Sequence, residues 1–141
     1  MDLSPLNRLN VLIIDDDENM RTLLGRILHR AGVSHVSLAP DGQTGLECLQ
    51  QADCALNFVL CDWNMPRMSG LEFFMQVKAS GSNVPVLMIT GRDDVASVLS
   101  ARNAGIPAYI IKPVTPQELL SKILHLVAHP PTAGRTEATS R

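Results

Sequence analysis

The sequence predicts an α/β fold: a doubly wound, five-stranded parallel sheet with five helices packed on its two faces. Two patterns predict it. Short apolar runs rich in β-branched residues alternate with segments whose apolar residues recur at helical spacing, as in successive strand–helix–strand units. Most of the runs are continuously apolar rather than alternating, as strands covered on both faces require. The 141 residues, 45% hydrophobic and 18% charged, suit one soluble domain with a proper core.

VLII (11–14) is the first strand. From Met20, the positions Leu23, Leu24, Ile27 and Leu28 trace one helical face, which Gly32 ends. VSHVSL (33–38) is less apolar and reads as a strand near an edge. Asp41-Gly42 then turns into a short helix around Leu46, Cys48 and Leu49. LNFVLC (56–61) is the third strand. Gly70 opens a helix carrying Leu71, Phe74, Met75 and Val77, and Gly81 closes it. PVLMIT (85–90) is the fourth strand, followed by a modest helix over 94–104 that Gly105 stops. AYII (108–111) is the fifth strand.

The last helix has the clearest start. Thr115 supplies a hydroxyl cap, Pro116 the first helical position and Glu118 the third. Leu119, Leu120, Ile123, Leu124 and Val127 follow. Residues 1–8 form a lead, 9–128 the domain, and 129–141 (HPPTAGRTEATSR) lack the apolar content to fold, which predicts a disordered tail.

Several function classes are disfavoured. A net charge of −2 gives no broad attraction to nucleic acid or anionic membranes. No apolar run approaches membrane-spanning length and no signal-peptide pattern opens the chain, which sets a cytoplasmic expectation. Three cysteines (Cys48, Cys54, Cys61) fit no zinc spacing and read as buried, reduced thiols. His125 and His129 share a helical face without further ligands, short of the four a structural zinc takes.

Ligands of such sheets bind beyond the carboxyl ends of the strands. The residues that follow each run there are therefore informative: Asp15-Asp16-Asp17 after the first, Asp62 after the third, Thr90 ending the fourth and Lys112 after the fifth. Crowded carboxylates repel, so one takes up a proton unless a cation neutralises them. Oxygen-only ligands favour Mg2+ over zinc or copper. An ionised Asp62 beside that ion is a nucleophile for phosphorus, with Lys112 and Thr90 as partners for phosphoryl oxygens. Asp17 reads as a helix cap. Alone, Thr90 or Lys112 would be an ordinary strand-end hydroxyl or surface amine. Tyr109 reads equally as a core aromatic or a mobile surface ring.

Four blocks in order, LIIDD, FVLCDWNMPRMSG, PVLMITG and AYIIKP, resemble the receiver domain of bacterial two-component response regulators, in particular the single-domain chemotaxis type. The resemblance covers residues 9–128 and implies strand order 2-1-3-4-5. It implies phosphorylation at Asp62 by a sensor histidine kinase or a histidine phosphotransfer protein. The implied Mg2+ site joins Asp15, Asp16 and Asp62 to the main-chain carbonyl of Asn64, with Asp16 a direct ligand and Asp15 acting partly through water. Thr90 matches the switch hydroxyl, Tyr109 the aromatic that follows it, and Lys112 the phosphoryl-binding amine. Lys112-Pro113 matches a bond usually found cis.

The implied protein is a signalling switch rather than an enzyme. Its output is a protein target, the flagellar motor switch among them, on the face formed by the fourth helix, fifth strand and fifth helix. Two departures fall on that face: Gly91-Arg92-Asp93-Asp94 is mixed to acidic, and Val114 stands where an aromatic is frequent. Trp63 is expected to pack over the loop. The rivals are a haloacid-dehalogenase-type phosphatase, a flavodoxin-like cofactor binder, a non-phosphorylated adaptor, and a receiver fragment of a longer regulator. The first lacks its Asp-x-Asp, since Trp63-Asn64 follow Asp62. The second lacks a Ser/Thr/Gly-rich phosphate loop.

Overall fold

The computed structural model describes residues 1–51 and 53–130; of the tail expected over 129–141, residues 131–141 lie outside them. Five strands, β1 (Asn10–Ile14), β2 (His35–Ala39), β3 (Phe58–Asp62), β4 (Val86–Thr90) and β5 (Ala108–Ile111), form one parallel sheet in the order β2-β1-β3-β4-β5. The helices are α1 (Glu18–Arg30), α2 (Gly42–Leu49), α3 (Gly70–Ala79), α4 (Val95–Ser100) and α5 (Pro116–Ala128). The expected fold class and strand order are both found.

Strand side chains alternate between two cores, which is why the central runs are apolar throughout. Val11, Ile13, Phe58, Leu60, Leu87 and Ile89 face Leu24, Ile27 and Leu28 of α1 and Leu119 and Ile123 of α5. Leu12, Ile14, Val59, Cys61, Val86 and Met88 face Leu46 of α2, Phe73, Phe74 and Val77 of α3, and Val98 of α4. β2 is an edge strand, as its weaker apolarity predicts, and leaves Leu38 exposed. Of the three thiols expected to be buried, only Cys61 is; Cys48 and Cys54, near the end of α2 and in the following loop, are half-exposed.

Caps fix where the helices start. Asp17, Asp41 and Thr115 accept the amides of Asn19, Thr44 and Glu118. Ser69 and Glu72 form a reciprocal capping box on α3, a Ser-x-x-Glu signal beyond the Gly70 start read from sequence. Gly32, Gly81 and Gly105 end their segments at positive φ, where glycine carries no side-chain penalty.

Two segments depart from expectation. The helix expected over 94–104 is broken: α4 spans six residues between 3-10 turns at Arg92–Asp94 and Arg102–Ala104. Asp94 makes no side-chain cap there, and the β-branched and serine residues of VASVLS are weak helix formers. The lead is also structured. Ser4–Arg8 forms a 3-10 turn that places Leu6 fully inside the α1/α5 core, with Leu9 close behind.

Gly70 matters most for the rim. A Cβ there would stand 2.7 Å from the Asp62 carbonyl oxygen and 2.9 Å from Trp63 Cα, main-chain atoms that cannot step aside cheaply. Gly25, inside α1, would meet nothing within 4 Å. Gly70→Ala is therefore expected to destabilise the fold by about 1–3 kcal/mol, and Gly25→Ala to stabilise it by about 0.5–1 kcal/mol. Urea unfolding of the two variants checks both signs.

A candidate acidic phosphoacceptor site at the strand ends

The site is built where β1, β3, β4 and β5 end together. Asp62 is the last residue of β3 rather than the first beyond it, so its main chain is held by the ladder with β4. The pairing continues one step further: the Trp63 amide donates to the Ile89 carbonyl at 2.9 Å. The chain then loops out and returns, and the Gly70 amide donates to the Trp63 carbonyl at 2.8 Å. Trp63 and Met65 are both buried against the α2/α3 core. Trp63 thus anchors the base of the loop from inside.

Asp15, Asp16 and Asp62 each bring a carboxylate oxygen within 4.8 Å of the others. Asp15 is 1% exposed and Asp62 4%, while Asp16 is open to solvent. The Lys112 ammonium stands 3.3 Å from Asp62 Oδ1. Burial raises the Asp62 carboxyl to about 6, reinforced by the charge of Asp15 and opposed by Lys112. Asp15 is also raised, again chiefly by burial, against the Asp17 amide that donates to its Oδ1 at 2.9 Å. At neutral pH Asp62 is therefore mainly ionised yet poorly solvated.

Asp15 Oδ2 is buried and has no hydrogen-bond partner. A buried carboxylate oxygen without a donor is costly, and here it lies in a cluster of hard oxygen ligands. These residues fit a hard divalent cation such as Mg2+, which takes oxygens and retains waters.

The remaining predicted residues are placed less evenly. Thr90 ends β4 and is 1% exposed. Its hydroxyl donates to the Gly91 carbonyl at 3.1 Å, and its carbonyl accepts the Lys112 amide at 2.7 Å, which couples the ends of β4 and β5. Asn64 lies in the loop after Asp62 with an exposed side chain. Tyr109 stands apart from the carboxylates. It is half-buried in β5, in a pocket shared with Leu99, Ile106, Lys122 and His125. Lys112-Pro113 is cis.

Sequence reasoning missed two supports. Arg21, on α1, donates from Nη1 to the Asp15 carbonyl at 2.6 Å, and no motif announces that reach. By its sequence position Gly70 reads only as a helix start; a glycine just after a strand-end loop is the signal for close backbone approach.

The profile of the response regulator receiver domain matches residues 11–124. The chain is 35% identical over 117 residues to chemotaxis protein CheY-3 of Vibrio cholerae, covering 82% of this chain and 88% of that protein. It is 36% identical over 117 residues to chemotaxis protein CheY1 of Helicobacter pylori, covering 82% and 94%. Among solved structures it is similar to a response regulator receiver domain protein from Clostridium thermocellum, with TM-score 0.78, 26% identity, and coverage of 85% of this chain and 94% of that one. Motifs, topology and overall similarity agree, and the chain belongs to the response regulator receiver domain family.

Proposed function

We propose that this receiver domain is a phosphorylation switch whose acceptor is Asp62. The observation that carries the reading is a buried carboxylate at a strand end, 3.3 Å from Lys112 and clustered with Asp15 and Asp16. Asp15, Asp16, Asp62 and the Asn64 carbonyl would hold Mg2+, which supplies charge neutralisation for the acidic cluster and an incoming phosphoryl group.

The protein residues do the rest. The ionised Asp62 attacks phosphorus in line; the P–N bond of a phosphohistidine breaks as the carboxylate O–P bond forms, and the imidazole leaves with the electron pair and takes a proton. Lys112 neutralises a phosphoryl oxygen, and the Thr90 hydroxyl turns from Gly91 to donate to another. Burial keeps Asp62 weakly hydrated, so little water must be displaced from it before attack.

The donor in this reading is a sensor histidine kinase or a histidine phosphotransfer protein. The output is a protein bound on the face of α4, β5 and α5, where Tyr109 lies. Chemotaxis, with the flagellar motor switch as a target, is favoured because the similar relatives are chemotaxis proteins. A cytoplasmic setting suits such partners, and among the described residues no helix is long and apolar enough to cross a membrane.

Incubation with a small-molecule phosphodonor and Mg2+ is expected to add one phosphoryl group, read by intact mass. Omitting Mg2+ or substituting Asp62→Asn abolishes labelling, and an unlabelled wild type would refute the acceptor assignment.

The metal-free protein has a second expected behaviour. The folded Asp62 carboxyl titrates near 6 instead of 3.8, so between those values the folded state holds more protons than the unfolded one. Stability is then lost as pH rises through that window. At pH 7 with chelator, Asp62→Asn is expected to be more stable than wild type by about 1–2 kcal/mol. The gap should close as pH falls to 4, and Mg2+ should narrow it at pH 7 by stabilising the wild type. Thermal melts across pH measure this; a gap independent of pH would show that the Asp62 charge is not strained by its surroundings.

A further inference from the structure

The loop between β3 and α3 is fastened to a neighbouring helix as well as to the sheet. Arg67, at its tip, has φ +69, a left-handed conformation that disfavours residues bearing a side chain. The Met68 amide closes the bend by donating to the Pro66 carbonyl at 2.8 Å. Arg67 Nη2 then reaches Asp41 Oδ2 at 3.6 Å. Asp41 is the N-cap of α2, its Oδ1 accepting the Thr44 amide at 2.8 Å. The next residue in each segment repeats the contact: Met68 Sδ lies 2.7 Å from where a Cβ on Gly42 would stand. Two adjacent residues of the loop thus rest on the first turn of α2, while Gly70 fixes the loop's far end against Asp62.

We propose that the Arg67–Asp41 ion pair is a latch that positions the 63–69 loop for divalent-cation binding, with Arg67 acting as a positioning residue. The inference rests on the reading that the Asn64 carbonyl is a metal ligand. Without the latch, a tip held in a disfavoured backbone conformation relaxes, and the carbonyl is presented less often in the binding geometry. The Arg67 side chain is 77% exposed, and pairs at such exposure add little to global stability. The latch therefore acts on cation affinity and leaves melting unchanged.

Electrostatics supplies a sharp discriminator. Arg67 is a cation close in sequence to an acidic site, so Coulomb's law alone makes its removal tighten Mg2+ binding. The latch requires the opposite sign. Asp41→Asn isolates the pair from the cap, because asparagine caps helices as well as aspartate does.

The test uses the full chain, stripped with chelator, at low ionic strength. Mg2+ titration is followed by fluorescence of Trp63, the sole tryptophan, and by calorimetry in parallel. Arg67→Gln and Asp41→Asn should each weaken Mg2+ affinity about threefold, and the double variant no further, since both break one interaction. Arg67→Lys should recover most of the loss. Added salt should shrink the difference between wild type and variants, as an exposed pair is screened. Unchanged or tighter binding by Arg67→Gln overturns the latch and leaves the metal-site reading standing. A wild type that binds no Mg2+ by either readout overturns that reading and the latch with it.

Discussion

The feature on which the rest of the structure depends is a concentration of like charge that the fold holds partly out of water. Asp15 and Asp62 are nearly inaccessible, and both carboxyls are raised chiefly by burial. Isolated, such a cluster would disperse or protonate. It persists because each acid is mounted on a strand buried on both sides, and the paired strands bring their ends to one rim. The two cores set the strands, the strands set the carboxylates, and the strained charge favours a hard cation among them.

The same rim explains how a local event could reach a distant face. Thr90 and Lys112 sit on adjacent strand ends and share a main-chain hydrogen bond. One supplies the hydroxyl and the other the ammonium of the proposed chemistry. Tyr109 lies three residues before Lys112 on β5, in the half-buried pocket beside α4. A ligand shifts a conformational equilibrium only through contacts that differ between its states. Under the proposed function, the Thr90 hydroxyl, which here donates to the Gly91 carbonyl, would be a contact of that kind.

Much of this was legible in the sequence, for an identifiable reason. Continuous apolar runs separated by helical periodicity admit few arrangements, and the acidic, hydroxyl and basic residues at their ends then fall on one rim. What was not legible depends on contacts far apart in the chain. Leu6 carries no local strand or helix signal, yet completes the core under α5. Arg21 reaches Asp15 through a side chain whose direction no pattern gives. Asp41-Gly42 reads as a turn, and only the folded chain shows Arg67 and Met68 resting on it. The cluster's composition was readable; the supports that hold its loop were not.

The misjudged helix belongs with this physics. α1, α2, α3 and α5 each begin with a side-chain cap, whereas α4 has none, spans six residues and grades into 3-10 turns at both ends. Local sequence specifies it weakly, and of its residues only Val98 is fully buried. Elements that change conformation are drawn from the least stable parts of a fold, and α4 borders both the chain leaving Thr90 and the pocket of Tyr109. Its missing cap and short length make α4 an element that costs little to rearrange. The rim that would impose the change is mounted chiefly on β1, β3 and β4, strands buried on both faces.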